Sequence, residues 1–419
     1  MASDRPLLIC DLTQSYSPTA GGGISTYLRE KRDHVLAHTP HRLLQIVPGP
    51  EDRVTIDGRH IFAEVAADPV RGSPDYRFIL RTSVVRDLLE QWRPDVVESL
   101  CPWVLPWTAI RHRRAFPDTT LVAGYRTDFP NAHVYRVGRD KFGELGGRFC
   151  RMLIWGYAEI TYREFDHVYT LSQDARTALA RRKVTRTSVL PLGVDATLFS
   201  PGSRDPEFRR ELGLTNRGPL LVYAGRIDNE KRADRLVAMM RRLPASLDAA
   251  LVMIGDGKLR EPLMAQARDV PVVFPGFEKD RSRLARALAS SDIYVSAMAD
   301  ETFGVSVLEA QAAGLPVVGV DGGAMPDRVP PEAGRLGPVD DVDAMAANVL
   351  AVWNGDRAAM GHVGRALAES HSWRRTFDRL FDEIYPAAMA HTEQRLKGRA
   401  GRGTRLRRGV EDGSRLVEL

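Results

Sequence analysis

The chain has 419 residues, and its 59 Lys and Arg against 54 Asp and Glu give a formal net charge of +5 at pH 7. Hydrophobic residues make up 43% and charged residues 27%, which excludes a disordered chain. The nearly neutral balance excludes nucleic-acid binding by a broadly basic surface, and the length suggests two to three domains of about 150 residues.

Short apolar runs alternate with longer amphipathic stretches, which predicts buried parallel strands joined by helices. In the first half the predicted strands are Leu7–Leu12, Arg42–Val47, Asp95–Ser99, Thr120–Tyr125, His167–Ser172 and Ser188–Leu192. In the second half they are Leu220–Ala224, Ala250–Gly255, Val270–Phe274, Ile293–Ser296 and Pro316–Val320. Helical spacing between them, as in Lys231–Leu243, predicts an α/β protein with two Rossmann-like, doubly wound domains.

The domain boundary is predicted near Gly193–Arg217, which is rich in Gly, Pro, Asp and Arg. We expect a first domain over 1–195 and a second over 196–390, whose final helix packs back on the first. The tail 391–419 has eight Lys or Arg and four acidic residues, and its low apolar content predicts poor order. Two interpretations of its charge stay open: a solubilising tail, or a weak contact with an anionic membrane surface.

The compartment indicated is the cytoplasm. Cys10, Cys101 and Cys150 lie far apart and form no CxxC pair, so no disulfide is expected. No stretch reaches the roughly 20 mostly apolar residues of a membrane-spanning helix. The N-terminus also lacks the basic and apolar segments of a signal peptide. Work at the inner face of a membrane is compatible with these features.

The strongest chemical signal is a pair of glutamates, Glu301 and Glu309, spaced eight apart around a turn that opens a helix. The turn follows a predicted parallel strand, and open α/β sheets bind ligands at the carboxyl ends of their strands. Backbone amides at a helix start suit a phosphate, and carboxylates accept hydrogen bonds from sugar hydroxyls. The amides concerned are those of Phe303, Gly304 and Val305.

Two further patterns have the chemistry of phosphate binding. Arg226 and Lys231 follow a predicted strand, where a guanidinium fork and an ammonium neutralise phosphate oxygens. Gly21-Gly22-Gly23 precedes the helical stretch Ile24–Ala37, so bare amides lie near a helix start. Each pattern also has a simpler interpretation: the glycine run could be an ordinary flexible loop, and the two cations could be solvated surface residues.

Taken together, six segments in order resemble the retaining glycosyltransferases of family 4, which have the GT-B fold with two domains facing a central cleft. The segments are the glycine loop Gly21–Ile24, Gly193–Phe199, Gly225–Arg232, Ile254–Gly257, Phe274–Phe277 and Glu301–Val318. The resemblance covers roughly residues 7–385. It implies an acceptor-binding first domain and a nucleotide-sugar-binding second domain.

The resemblance also implies roles for individual residues. The donor, a GDP- or UDP-hexose such as a mannose or glucose derivative, would be a substrate, with no cofactor and no metal. The implied donor-binding residues are Gly22, Gly23, Gly225, Arg226, Lys231, Asp256, Gly257, Phe277, Glu301, Thr302, Phe303, Gly304, Val305 and Glu309. The implied catalytic residues are Glu301, Arg226, Lys231 and Asp128. A lipid, a glycan or a small molecule would accept the sugar with retention at the anomeric carbon.

One departure from the family affects the expected contacts to the transferred sugar. Arg126 stands where many members have a histidine, followed by Asp128 and, further on, His133. All three are candidate sugar or acceptor contacts. Because the usual histidine is missing, two alternatives remain: a sugar-nucleotide-binding protein with little transfer activity, and a nucleotide-sugar epimerase.

Competing motifs are weak. Asp341-Val-Asp343 is formally the D-x-D metal motif of the other glycosyltransferase fold, but it precedes a helical run and is predicted to cap it. His34 and His38 are one helical turn apart without the H-E-x-x-H pattern, which indicates an ordinary helix face.

Overall fold

The computed structural model describes residues 5–16, 23–70 and 73–398. The first domain is built on an eight-stranded sheet in the order β11-β10-β9-β8-β1-β3-β5-β4, parallel except for β4. The strands of this half are β1 Leu8–Leu12, β2 Ser15–Tyr16, β3 Arg42–Gly49, β4 Arg53–Asp57, β5 His60–Ala66, β6 Pro69–Val70, β7 Ser73–Phe78, β8 Val96–Ser99, β9 Thr120–Tyr125, β10 His167–Thr170 and β11 Thr187–Val189. Strands β2, β7 and β6 form a small separate sheet.

Helices cover both faces of the large sheet, so its central strands are buried at every position. They are α1 Gly23–His38, α2 Thr82–Trp92, α3 Leu105–Ala115, α4 Arg136–Arg163 and α5 Gln173–Ala180, with a π-helical turn Pro130–Tyr135 before α4. Local sequence explains their ends. For example, Ser172 Oγ accepts a hydrogen bond from the amide of Ala175 and caps α5.

The second domain has a six-stranded, fully parallel sheet in the order β14-β13-β12-β15-β16-β17. Its strands are β12 Leu220–Ala224, β13 Ala250–Ile254, β14 Val272–Gly276, β15 Ile293–Val295, β16 Val317–Val320 and β17 Gly334–Gly337. Its helices are α6 Phe208–Glu211, α7 Ala233–Met240, α8 Arg260–Gln266, α9 Arg281–Ala289, α10 Val305–Ala312, α11 Met325–Arg328, α12 Val342–Asn354 and α13 Arg357–Glu369. The predicted α/β class with two doubly wound domains is confirmed.

After the second domain the chain returns to the first. A C-terminal helical segment comprises α14 Trp373–Arg379, a π-helical turn Leu380–Ile384 and a helix over 385–398. The two connections between the domains run side by side, since the amide of Val194 donates to the carbonyl of His371 at 2.8 Å. Gly193 permits this approach, because a Cβ there would lie 2.2 Å from the Trp373 nitrogen.

The C-terminal segment is anchored in the first domain by a buried group that we call the Lys31 cluster. It consists of Asp11, Tyr27, Lys31, Gln45, Glu98, Tyr169 and Tyr385. The Lys31 ammonium donates to Asp11, to Glu98 at 2.7 Å and to the Tyr385 hydroxyl at 2.7 Å. The hydroxyls of Tyr27 and Tyr169 each donate to Glu98 Oε1 at 2.7 Å. The buried charges are therefore paired and hydrogen-bonded.

The prediction of a poorly ordered tail from residue 391 was wrong for its first eight residues, which are helical. Arg395 Nε and His391 Nδ1 lie 3.3 and 3.0 Å from the buried Asp166 carboxylate. Thr392, also buried, accepts a hydrogen bond from Thr120 at 3.0 Å. One of the tail's cations is therefore used inside the protein, and residues 399–419 lie outside the described residues.

Candidate active site

The loops of the predicted donor site leave three neighbouring strands of the second domain at their carboxyl ends. Strand β12 lies between β13 and β15, so the chain leaves β12 to one side and later returns on the other. Loops that diverge in this way open a crevice in which α/β proteins bind ligands. The crevice faces the first domain, because Thr302 Oγ1 donates to the backbone carbonyl of Arg126 at 3.1 Å.

Glu301 and Lys231 form an ion pair in this crevice. Lys231 Nζ lies 3.2 Å from Glu301 Oε2 and 2.8 Å from Met298 Sδ. Burial would raise the pKa of Glu301, but Lys231 and the amides of Phe303 and Gly304 outweigh it, so the pKa lies below its usual value. Glu301 is therefore an oriented carboxylate that stays ionised at neutral pH.

The start of α10 differs from the sequence prediction. The amide of Gly304 donates to Glu301 Oε1 at 3.1 Å, so this amide caps a carboxylate of its own loop instead of facing a phosphate. Gly304 has a φ of +82°, which brings the chain back over Glu301. Phe303 is buried, with its ring centroid 3.9 Å from the Arg328 guanidinium carbon, so its side chain is part of the core.

A second glycine turn, missed in the sequence analysis, supports Glu301 from behind. The amide of Ala324 donates to the Glu301 carbonyl at 2.7 Å. A Cβ on Gly323 would lie 2.3 Å from that carbonyl oxygen, and Gly322 is similarly close to Ala299. The only sequence signal was a pair of glycines directly after a buried strand.

Arg226 is engaged by two acids of its own loop. Its Nη1 lies 2.5 Å from Asp228 Oδ2, and its Nη2 lies 2.7 Å from Glu230 Oε2. Its side chain is 53% exposed. Asp228 also accepts the amide of Lys231 at 2.9 Å and so fixes the loop. The two cations predicted to act together therefore have different partners.

The glycines of the donor loops allow two backbones to touch. Gly255 and Gly257 have φ values of +148° and +154°. A Cβ on Gly255 would lie 1.9 Å from the carbonyl oxygen of Gly225, and one on Gly257 would lie 2.4 Å from that of Ile227. Asp256, which is exposed, accepts the amide of Gly257 at 2.8 Å. These loops support each other, and a side chain at either glycine would separate them.

Glu309 lies within α10 and pairs with a cation other than Lys231. Arg281 Nη2 is 2.5 Å from Glu309 Oε1. Burial raises the pKa of Glu309, and Arg281 offsets part of that rise. The pair borders a cavity of about 180 Å³ whose other walls are α1 and the connection from Gly193 to Phe199. Nothing in the sequence distinguished Arg281 from the other arginines of α9.

Arg126, from the first domain, is the most unusual residue at the crevice. The residue is 7% exposed, and its guanidinium carbon lies 4.2 Å from the ring centroid of Tyr27. Nη2 donates to the carbonyl of Gly23 at 3.2 Å, whereas Nε and Nη1 have no hydrogen-bond partner among the described residues. A buried guanidinium with two unused nitrogens is costly for the fold.

The remaining first-domain candidates divide into three groups. Asp128 is half-buried, and its two oxygens accept from the Tyr125 hydroxyl at 3.0 Å and Asn131 Nδ2 at 2.7 Å. Gly23 begins α1, whereas Gly22 lies outside the described residues. His133 falls in the π-helical turn, and its side chain also lies outside the described residues.

Two predictions at the rim of the second domain have different outcomes. Phe277 follows β14 and is 43% exposed, so its contact with a nucleotide base stays a prediction. Asp341 Oδ1 accepts the amide of Ala344 at 2.8 Å, and Asp343 lies 3.0 Å from Arg242. The predicted capping role of the D-x-D sequence is confirmed. Among the described residues no group of three His, Cys, Asp or Glu is placed to hold a metal ion.

The crevice between two Rossmann-like domains, with its Glu301–Lys231 pair, defines a GT-B glycosyltransferase. The family model "Glycosyltransferase Family 4" matches residues 21–198, and "Glycosyl transferases group 1" matches residues 218–354. The chain belongs to this family, as the sequence resemblance predicted. It is a glycosyltransferase that uses a nucleotide sugar.

Known proteins agree with this assignment. The chain is 28% identical over 382 residues to a GDP-mannose-dependent α-(1-6)-phosphatidylinositol dimannoside mannosyltransferase of Mycobacterium tuberculosis, covering 88% of this chain and 93% of the relative. It is 29% identical to a GDP-mannose-dependent α-mannosyltransferase of Mycolicibacterium smegmatis, covering 88% and 94%. Sucrose-phosphate synthase from Thermosynechococcus elongatus has the same fold, with a TM-score of 0.73, 20% identity and coverage of 91% and 100%.

Proposed function

We propose that the protein is a retaining mannosyltransferase that moves mannose from GDP-mannose to a membrane lipid or its glycan headgroup, without a metal ion. Both mycobacterial relatives described above use GDP-mannose, and one acts on a phosphatidylinositol dimannoside. The observation that carries the proposal is the Glu301–Lys231 pair, which places a fixed carboxylate and a cation together in the interdomain crevice.

Lys231 would bind the leaving diphosphate. An ammonium has three N–H donors, and in Lys231 two of them face Glu301 and Met298. The third is left for a phosphate oxygen, where it would stabilise the negative charge that develops as the bond to the anomeric carbon breaks. Arg226 would contribute after exchanging one of its acids for a phosphate oxygen.

Retention at the anomeric carbon follows if bond formation and bond breaking occur on the same face. The acceptor oxygen would bond to the anomeric carbon as the diphosphate leaves, and the acceptor proton would pass to the leaving phosphate oxygen. In that scheme the enzyme needs no basic side chain at the reacting atoms. Glu301 would orient sugar hydroxyls, and Glu309 would hold the nucleotide's ribose diol.

The site assignment can be tested with two isosteric substitutions. Glu301→Gln should mainly lower turnover, and Glu309→Gln should mainly weaken nucleotide binding. Loss of a charge-assisted hydrogen bond corresponds to about 10- to 100-fold in each case. Glu332→Gln, at an exposed position, is the matched control. Wild-type kinetics in both folded variants would remove the assignment.

The donor and the reaction class need separate assays. A thermal-shift panel of GDP, UDP and ADP sugars identifies the base, because a ligand that binds the folded state raises the melting temperature. Labelled GDP-mannose with a lipid acceptor then separates three outcomes. Transfer supports the proposal, isomerised donor indicates an epimerase, and binding without turnover indicates a binding protein.

Metal independence has its own test. Lys231 would supply positive charge that a divalent ion would otherwise supply, and so would Arg226 after exchanging one of its acids for a phosphate oxygen. Activity should therefore survive EDTA. A complete loss that Mg²⁺ or Mn²⁺ restores would contradict this part of the proposal.

A further inference from the structure

Helix α4 is a helical hairpin, because its chain reverses at Gly143. This residue has φ +71° and ψ −175°, which no helix contains. The two arms then lie against each other: a Cβ on Gly138 would be 3.2 Å from the Cα of Gly147, and the Tyr135 hydroxyl donates to Glu144 at 2.8 Å. The hairpin, residues 130–163, thus has its tip near residue 143.

The base of the hairpin is anchored and its tip is not. Trp155, Ala158 and Tyr162 are buried in the first-domain core. Toward the tip, large apolar side chains face solvent, with Phe142 71% and Leu145 80% exposed. The exposed set continues along the second arm at helical spacing with Phe149, Met152 and Leu153, each more than half exposed. Such a continuous apolar surface on a folded protein marks an interaction site.

Basic residues surround this apolar surface. Residues 136–153 contain five Lys or Arg and two acidic residues in a chain whose total net charge is only +5. Lys141 and Arg148 are exposed, and neither has a carboxylate partner in the described part of the chain. An apolar stripe with flanking cations is the composition of helices that lie in the interface of an anionic bilayer.

We propose that the tip of this hairpin docks on an anionic lipid bilayer. Its position gives the contact a purpose. Arg136, where the first arm begins, lies 3.3 Å from Asp300, the neighbour of Glu301. Docking would therefore hold the crevice beside the membrane surface, where a lipid acceptor presents its headgroup. The purpose rests on the proposed lipid acceptor, but the docking itself does not. Among the described residues no helix is long and apolar enough to cross a bilayer, so the contact is interfacial.

The proposal is tested by co-sedimentation of the full chain with vesicles. Vesicles of phosphatidylcholine alone are compared with vesicles that contain about a third phosphatidylglycerol. The natural chain should bind the anionic vesicles, less so at high salt. Phe142→Ser combined with Leu145→Ser should lower the vesicle partition coefficient by about tenfold or more.

A matched control separates docking from general loss of apolar surface. Leu80 and Ile56 are 71% and 59% exposed, and neither belongs to the hairpin. Leu80 lies between β7 and α2, and Ile56 lies in β4, at the edge of the large sheet opposite to β9, β10 and β11. The double variant Leu80→Ser with Ile56→Ser should bind vesicles like the natural chain. Because the basic residues 399–419 are present in every variant, their contribution cancels. Equal melting temperatures establish that both double variants are folded.

Two results would overturn the proposal. One is unchanged vesicle binding in the Phe142 and Leu145 double variant. The other is a natural chain that is dimeric in solution and becomes monomeric in that variant, which would show that a second copy covers the surface. Vesicle binding needs no donor, so a failed transferase assay would count against the proposed function and leave this inference standing.

Discussion

Two cations are buried in the first domain, and their surroundings differ. Lys31 contacts two carboxylates and a phenol, and those carboxylates raise its pKa despite the opposing effect of burial. Arg126 has one backbone carbonyl and one aromatic ring as partners, and two of its nitrogens have none among the described residues. The first cation is fully paired, and the second is buried with no carboxylate partner among the residues that the structure describes.

The difference in pairing indicates that Lys31 has a structural role and Arg126 a functional one. A buried charge that is paired and hydrogen-bonded maintains an arrangement, here the contact between the first domain and the C-terminal segment. A buried charge without a partner weakens the fold, and such positions are found where activity requires them. Arg126 contacts Thr302 and Gly23 at the crevice, and we therefore predict that its two unbonded nitrogens donate to a substrate oxygen.

The largest effect is expected from removing the paired cation. Lys31→Met leaves Asp11 and Glu98 buried without a counter-charge, and breaking a buried pair in this way costs about 3–5 kcal/mol. Urea unfolding measures the loss. Lys279→Met, at an exposed position, should change the free energy of unfolding very little. A loss below about 1 kcal/mol for Lys31→Met would contradict the importance given to the Lys31 cluster.

Substitution of Arg126 should affect activity more than stability, the opposite of what we expect for Lys31. Arg126→Met should change the free energy of unfolding by less than about 1 kcal/mol, because it removes a charge that has no carboxylate partner among the described residues. It should lower kcat/KM by about 10- to 100-fold if the guanidinium binds substrate. Arg113, a buried arginine paired with Glu164 at 2.8 Å, supplies the contrast. Arg113→Met should destabilise the fold more than Arg126→Met does. A larger loss of stability in Arg126→Met than in Arg113→Met would contradict the distinction between paired and unpaired buried cations.

His34 is a third buried titratable group, and unlike Lys31 and Arg126 it is neutral at neutral pH. Burial lowers the pKa of His34 to about 4, with a smaller opposing effect of Asp378. The ring centroid of His34 lies 5.4 Å from that of Phe377. Since the unfolded state binds this proton near pH 6.5, stability should fall as the pH drops from about 6.5 to about 4.

The loss from His34 should reach about 1–2 kcal/mol near pH 5, seen as a falling melting temperature. His34→Gln should flatten this dependence between about pH 6.5 and 4. His362→Gln, at an exposed position, should leave it unchanged. An unaltered pH profile for His34→Gln would show that another group titrates.

The sequence revealed the parallel strands because they are apolar at every position. Thr120–Tyr125 and Leu220–Ala224 were predicted with the bounds they have. Strand β5 was missed because it alternates between buried and half-buried residues, and β4 because all its residues are exposed. Neither contains the continuous apolar run on which the prediction relied.

The site was predictable where a short segment supplies both the residue and its setting. Glu301 and Lys231 were found in this way, and the structure brings them together. The sequence did not predict the acids that engage Arg226, the Arg281 partner of Glu309, or the two Arg126 nitrogens that have no partner among the described residues. Each depends on which side chains meet after folding, and no local pattern encodes that.

The first domain cannot complete its fold during synthesis until the C-terminal segment has been made. The strands of that domain leave the ribosome early, whereas Tyr385 is made only after the entire second domain. Until then Lys31 and Glu98 lack one of their partners, and Phe377 is not yet present to cover Tyr27. A chain cut short anywhere in the second domain therefore keeps an apolar surface uncovered on the first, where quality-control proteases can recognise it.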